Sequence, residues 1–160
     1  MTTTSTETVL SSQDLLIHWQ GHRKLTRKLI EAFPEDKLFS FSIGGMRPFA
    51  AMIAEFLKMA APIAKGVATG TWSKFEEDLG DVKTKTELLR MWDESTAEID
   101  AIWPTIPAHR FSEVDKAFGQ WEGSGINTIL YAIDNEIHHR GQGYVYLRAL
   151  GVEPPPFWER

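Results

Sequence analysis

Four amphipathic stretches joined by loops, with no convincing strand among them, predict an all-α fold built as an antiparallel four-helix bundle. Three observations carry this reading. Apolar residues recur at spacings of three and four in each stretch. Each stretch opens on Ser, Thr or Pro and closes at Pro or Gly. Of the 160 residues, 42% are hydrophobic and six are Trp, enough for one core, so residues 1–160 are expected to form a single domain.

Residues 1–10 read as a polar, flexible lead-in. Ser11 or Ser12 caps the first helix, and Asp14 stands in its first turn, where the helix dipole favours an anion. The seam Leu15, Trp19, His22, Thr26, Leu29, Phe33 faces inward, with His18, Arg23, Lys24, Arg27 and Lys28 beside or behind it, and Pro34 stops the helix. Phe39–Gly45 is a loop. Pro48 starts the second helix, whose stripe is Phe49, Met52, Ile53, Phe56, Met59, Ala60 and Ile63, and Pro62 is expected to kink or end it. A long connector runs from Gly66 to about Lys83. Thr84 and Glu87 form the capping-box pattern of a third helix, with stripe Leu88, Met91, Trp92, Ser95, Ile99 and Ile102. Residues 104–123 read as a second long loop. Its aromatic content (Phe111, Phe118, Trp121) implies that it packs over something. Ser124 caps a fourth helix that ends near Leu150, with Gly151 as its C-terminal glycine. Pro154–Trp158 is a stiff tail expected to lie back on the surface.

Charge and composition exclude several functions. The net charge is −5 and the pI about 5.5, which provides no basic field for nucleic acid. Cysteine is absent, so disulfides, thiolate metal sites and a cysteine nucleophile are excluded, and a cytoplasmic protein is expected. The N-terminus lacks the features of a signal peptide. No apolar run reaches the ~18 residues of a membrane span, and no Gly-x-Ser-x-Gly elbow occurs.

The chemistry concentrates between Asp134 and Arg148, where imidazoles, acids, amides and arginines share a helix with Ile, Leu and Tyr. Burying so many polar groups costs free energy unless each finds a partner. Asn135, His139, Gln142 and Tyr146 lie on one strip of that helix. Ile126, Ile133, Ile137 and Tyr144 lie opposite. The polar strip is expected to face a cavity and the apolar one a second copy of the chain. An i,i+4 pair containing His presents two donors to one metal, but here the pair is Asn and His. Glu55, the sole acid between Pro48 and Gly66, is either a third ligand or a surface acid paired with Arg47 or Lys58. His18 and His22 form another i,i+4 pair, a competing metal motif. Alternatively His22 is a core imidazole bonded to a carboxylate. His138 is expected to bond Asp134 or another helix, and Arg140 and Arg148 to be ion-pair or dimer contacts.

The block Asn135-Glu136-Ile137-His138-His139-Arg140-Gly141-Gln142, followed by Tyr146–Gly151 and the Pro-rich tail, resembles the C-terminal signature of the DinB family. Met46-Arg47-Pro48-Phe49 and Trp19-x-x-His22-Arg23 resemble its second and first helices. The likeness spans nearly the whole chain. It implies a DinB/YfiT-like up-down-down-up bundle with a long connector between helices two and three. It also implies frequent homodimers and a divalent metal on three histidines, one from the second helix and two from the fourth. Relatives of this kind include thiol-dependent transferases and a maleylpyruvate isomerase. Here Glu55 and Asn135 stand where two of those histidines would be, and His139 alone matches.

Two functions therefore stand side by side. In the first, Glu55, Asn135 and His139 hold a divalent ion that accepts oxygen ligands (Zn, Ni, Mn or Fe), weakly, with His22, His138, Gln142 and Tyr146 as pocket or supporting residues. The protein would then be a metal-dependent transferase or hydrolase acting on a small molecule. In the second, it is a non-catalytic dimeric stress-response or ligand-binding protein with a degenerate metal site. Neither nucleic acid nor membrane is expected as a partner.

Overall fold

The computed structural model describes residues 8–160. The expected flexible lead-in at residues 1–7 lies outside them, while residues 8–10 are exposed. Helix α1 spans Ser12–Ala32, a short α2 Glu35–Leu38, α3 Phe49–Thr69, α4 Lys85–Ile102 and α5 Gly125–Ala149. Among the described residues no helix is long and apolar enough to cross a membrane.

Local chemistry explains most boundaries. A full capping box forms at Ser11: its hydroxyl accepts from the Asp14 N–H, and the Asp14 carboxylate accepts from the Ser11 N–H. At Thr84 the arrangement differs from the expected box, because the Glu87 carboxylate takes the Thr84 hydroxyl and the Lys83 N–H. Ser124 accepts from Asn127 to cap α5. At the other end Gly151 sits at φ 74°. The Gly151 N–H bonds the Arg148 carbonyl and the Val152 N–H the Leu147 carbonyl, the paired bonds of a Schellman ending.

Two expectations fail. Pro62 does not end its helix: α3 continues through it to Thr69 and stops at Gly70, φ 72°. The lost backbone bond is outweighed because Ile63, Ala64 and Val67 beyond it are all buried in the core. Nor is the segment 104–123 a plain loop. It holds two 3-10 turns, at Trp103–Thr105 and Ala108–Phe111, and an antiparallel hairpin of β1 (Val114–Ala117) and β2 (Trp121–Ser124). At its tip Phe118 and Gly119 both have positive φ, 53° and 70°, and the Gln120 N–H bonds the Ala117 carbonyl, as a tight hairpin turn demands. Phenylalanine is a poor residue for that conformation. Its ring compensates by packing against Trp72, Phe75 and Trp121, so tertiary contact overrides the local preference.

The long helices form a ring in which α1 touches α4 and α5, and α3 touches the same two. Gln20 reaches Thr96 and Asp100, Arg27 reaches Asp93, and Lys85 reaches the Glu31 and Phe33 carbonyls, so α1 and α4 run antiparallel. Glu55 meets Asn135 and His139, while Phe49 lies at Gly143 and Val67 at Gly125, so α3 and α5 are antiparallel too. One apolar cluster gathers around Trp19, Ile63, Ile99 and Ile133. The other gathers around Phe33, Phe49, Phe56, Trp92 and Tyr146.

The apolar strip expected at a dimer face is occupied inside the chain. Ile133 is fully buried, and Ile126, Ile137 and Tyr144 pack on the two clusters. The tail does lie back on the protein: Lys28 donates to the Glu159 carbonyl, and Arg160 reaches His22 and Gly21.

Helix approach at Gly143 yields a prediction. A Cβ there would stand 2.7 Å from the Phe49 ring and 2.9 Å from Leu29. Gly143→Ala should destabilise by about 1–3 kcal/mol through overpacking. Gly141→Ala, on the open side of the same helix with nothing within 4 Å, should stabilise by about 0.5–1 kcal/mol. Urea unfolding of both variants checks the contrast; equal effects of the same sign would refute it.

Candidate functional site

Helices α3 and α5 carry the polar cluster. Glu55 stands on the flank of the otherwise apolar α3, its side chain 19% exposed. One oxygen, Oε2, accepts from the Arg47 guanidinium at 2.6 Å. The other, Oε1, accepts from the Asn135 amide at 2.9 Å and lies 3.3 Å from His139 Nε2. Glu55 is therefore paired with Arg47, as one sequence reading expected, and the same carboxylate also lies next to His139. Burial opposes its charge. Hydrogen bonds from Asn135 and Arg47, with the neighbouring His139, outweigh that and hold the carboxyl below its ordinary range.

The imidazole is oriented from behind. His139 Nδ1 lies 2.7 Å from the Gln142 amide oxygen, which can only accept, while the Gln142 amide nitrogen faces the Met46 sulfur. The proton therefore sits on Nδ1. In a neutral ring Nε2 then aims a lone pair at a carboxylate oxygen. In that neutral form two acceptors would face one another at 3.3 Å, a contact that either a proton on Nε2 or a cation between them makes favourable. Two ligands each about 2.1 Å from one ion stand roughly 3.0–3.4 Å apart at angles of 90–110°, which covers that separation.

The donor set is incomplete without an amide. Among the described residues no three His, Cys, Asp or Glu side chains gather closely enough to hold an ion, so any ion at this pair would need a third donor of another kind, and Asn135 is the adjacent one. As placed, its nitrogen points at Glu55 and its oxygen is buried without a partner. Turning the amide over would present oxygen to Glu55 and His139. The residues therefore fit a divalent ion with one rotation, against the opposing charge of Arg47.

The supporting residues divide. Gln142 touches His139, as expected of a residue in that strip. Tyr146 is fully buried in the core and reaches the cluster only through the backbone, its hydroxyl donating to the Arg47 carbonyl at 2.8 Å. His138 does not bond Asp134; it is exposed and meets the His139 ring edge-on. His22 lies elsewhere, between α1 and α5. Its nitrogens face Arg140 and Arg160, at 2.9 and 3.0 Å, rather than a carboxylate, and burial first, then Arg140, His18 and Arg160, push its pKa down to about 3. The charge on those arginines makes the His18/His22 pair a poor cation site. Arg140 is a core residue that also donates to the His22 carbonyl and Thr26. Arg23, expected at the edge of α1, is completely buried beside Glu136.

A cavity of about 480 Å³ opens beside this cluster, but the polar strip does not line it. Glu55 alone of the cluster reaches its wall. Its apolar walls include Met59 and Ile63 of α3, Phe75 of the connector, Phe118 and Trp121 of the hairpin, and Tyr131 of α5, and Glu77, Glu122, Asn127 and Thr128 add polar groups. The hairpin is tethered there by Asp115, which accepts from Arg110 and the Trp72 indole. Those bonds hold its carboxyl down at about 2. The sequence pattern singled out Met59 and Ile63 as helix stripe and Phe118 and Trp121 as packed aromatics, but not Phe75 or Tyr131, and gave no sign that these residues share a cavity.

The class is that of a mostly helical protein in which two antiparallel helices carry a carboxylate–amide–imidazole cluster next to an aromatic cavity. The chain belongs to the DinB family, whose model matches residues 1–160. It is 26% identical over 153 residues to the protein YjoA of Bacillus subtilis strain 168, covering 93% of this chain and 97% of that one. The crystal structure of YjoA superimposes with a TM-score of 0.72 at 21% identity over 91% of this chain and 97% of that one. A DinB-like protein from Bacillus cereus ATCC 10987 gives 0.73 at 15% identity, with coverage of 90% and 95%. A mycothiol-dependent maleylpyruvate isomerase shares the fold at 0.61 and 12% identity, over 82% of this chain and 60% of that chain.

Proposed function

We propose that this is a divalent-metal-binding DinB-family protein whose Glu55 Oε1 and His139 Nε2, with the amide oxygen of Asn135, hold one ion such as Zn, Ni, Mn or Fe. The observation that carries the reading is the pair of acceptors facing at 3.3 Å with the His139 proton committed to Gln142. An ion held there would act as a Lewis acid or lower the pKa of a bound water or thiol. The residues around it have separate tasks. Gln142 fixes the ring and its tautomer, Arg47 holds the second carboxylate oxygen, and the cavity at Glu55 would receive a small molecule. Thiol transfer or hydrolysis is the reaction class in view, by family analogy alone. The proposal includes the up-down-down-up order, supported by the antiparallel pairing of α1 with α4 and of α3 with α5. It also includes a cytoplasmic homodimer, supported by cysteine-free composition and by Ile17 and Val145 exposed on α1 and α5.

The second reading is a non-catalytic protein with a degenerate site, in which a protonated His139 bonds Glu55 directly. Arg47 favours it, since a fixed cation 2.6 Å from Glu55 already balances the carboxylate. Elemental analysis of untagged protein separates the two. Near-stoichiometric metal, lost in His139→Ala, is expected. At an ion concentration ten times Kd, binding should add about 1.4 kcal/mol, and chelation should lower Tm by roughly 3–6 °C. Metal-free protein whose melting is indifferent both to chelator and to added ion would establish the second reading.

A further inference from the structure

The cavity has walls of one chemistry and a rim of another. Phe75, Phe118 and Trp121 interlock at ring separations of 5.3 to 6.2 Å, and Tyr131 faces the same space. The charged residues lining it are Glu55, Glu77 and Glu122, with no Lys, Arg or His among them. Carboxylates alone would be an ordinary solvated face. Here they line a half-open aromatic cavity of about 480 Å³ and give it a single sign of charge. Arg47 is the nearby counter-ion, and it is shared between Glu55 at 2.6 Å and Glu77 at 3.7 Å. Three acids against one guanidinium leave a surplus of two negative charges. Lys116 stands opposite Glu122 in the hairpin register, but it does not line the cavity, and no ion pair joins the two among the described residues.

We propose that this cavity binds a small organic cation, an ammonium group carried on an apolar body of roughly aryl size. The ring faces of Phe118, Trp121 and Tyr131 attract a cation through their quadrupoles. The apolar body is buried against Met59 and Ile63. Glu122 and the Glu55–Glu77 side draw the ammonium and repel anions of the same shape. The inference names a ligand class for the pocket of the proposed function and holds for the metal-free protein, the form to be titrated, because a divalent ion on Glu55 would offset the two surplus charges.

Calorimetric titration of the full, chelator-treated chain with three probes sharing a phenylethyl body tests it: 2-phenylethylammonium, neutral 2-phenylethanol and 3-phenylpropionate. The ammonium should bind about tenfold or more tighter than the carboxylate at low salt, and this preference should shrink as salt rises. Glu122→Gln should weaken the ammonium about threefold while leaving the alcohol unchanged, and Trp121→Ala should weaken all that bind. His139→Ala should keep the preference, which separates this result from the fate of the metal reading. The proposal is overturned if no probe binds, if the carboxylate equals the ammonium, if Glu122→Gln leaves the preference intact, or if folded His139→Ala loses ammonium binding.

Discussion

Glu136→Ala is expected to destabilise the protein by about 3–5 kcal/mol, the loss typical of removing one partner from a buried ion pair. Glu136 is 1% exposed and Arg23 is completely buried, and their closest charged atoms are 3.9 Å apart. Burial raises the Glu136 pKa, with Arg23, Thr26 and Arg140 pulling against it. Burial likewise lowers Arg23, with Glu136 opposing. Each group thus offsets part of the other's burial cost. Arg23 is further fixed by bonds to Thr96 and the Trp92 carbonyl and by the Trp92 ring 4.1 Å beneath it, so it cannot swing out to water when its partner is cut. Arg140, also buried, depends on the same carboxylate through the Thr26 hydroxyl. Glu136→Gln keeps an acceptor for Thr26 and loses only charge, so it should fall between wild type and Ala. Urea denaturation at neutral pH measures both; a cost below about 1 kcal/mol for Ala would contradict the account.

Acidification should act chiefly through His22. Its pKa lies near 3 in the folded chain against about 6.5 unfolded. Between those values the unfolded chain takes up a proton that the folded chain refuses, so stability falls as pH falls. At two units below 6.5 the loss is roughly 2–3 kcal/mol. Glu136 works in the opposite direction, since its raised pKa lets the folded state hold a proton more readily. Glu55, Asp93 and Asp115 are held low and lose stability only in stronger acid. These groups are common to wild type and His22→Gln. The difference between the two proteins therefore isolates the imidazole: the variant should lose less stability between pH 7 and 4.5, by that amount. Parallel urea midpoints across this range would remove His22 from the explanation.

The helices were readable because their causes are local. Spacing of apolar residues, Ser11, Thr84 and Ser124 as caps, and Gly151 as a stop act within a few residues of themselves. The same strip logic put Asn135, His139 and Gln142 on one side of α5, and the family resemblance set Glu55 opposite them. Their hydrogen bonds, and the tautomer that follows, needed coordinates. The cavity escaped because its walls come from three distant segments, and the hairpin that closes it turns at Phe118, which no local rule favours.

Amphipathic periodicity and end signals, both short-range effects, were enough to specify the helices and their inward faces. Which polar group meets which was settled by packing. Arg23 finds Glu136 more than a hundred residues away, His22 finds two arginines instead of an acid, and Pro62 is carried through α3 by the core around it. Such choices turn on burial and on the high cost of an unpaired buried charge, quantities that exist only once the chain has closed on itself.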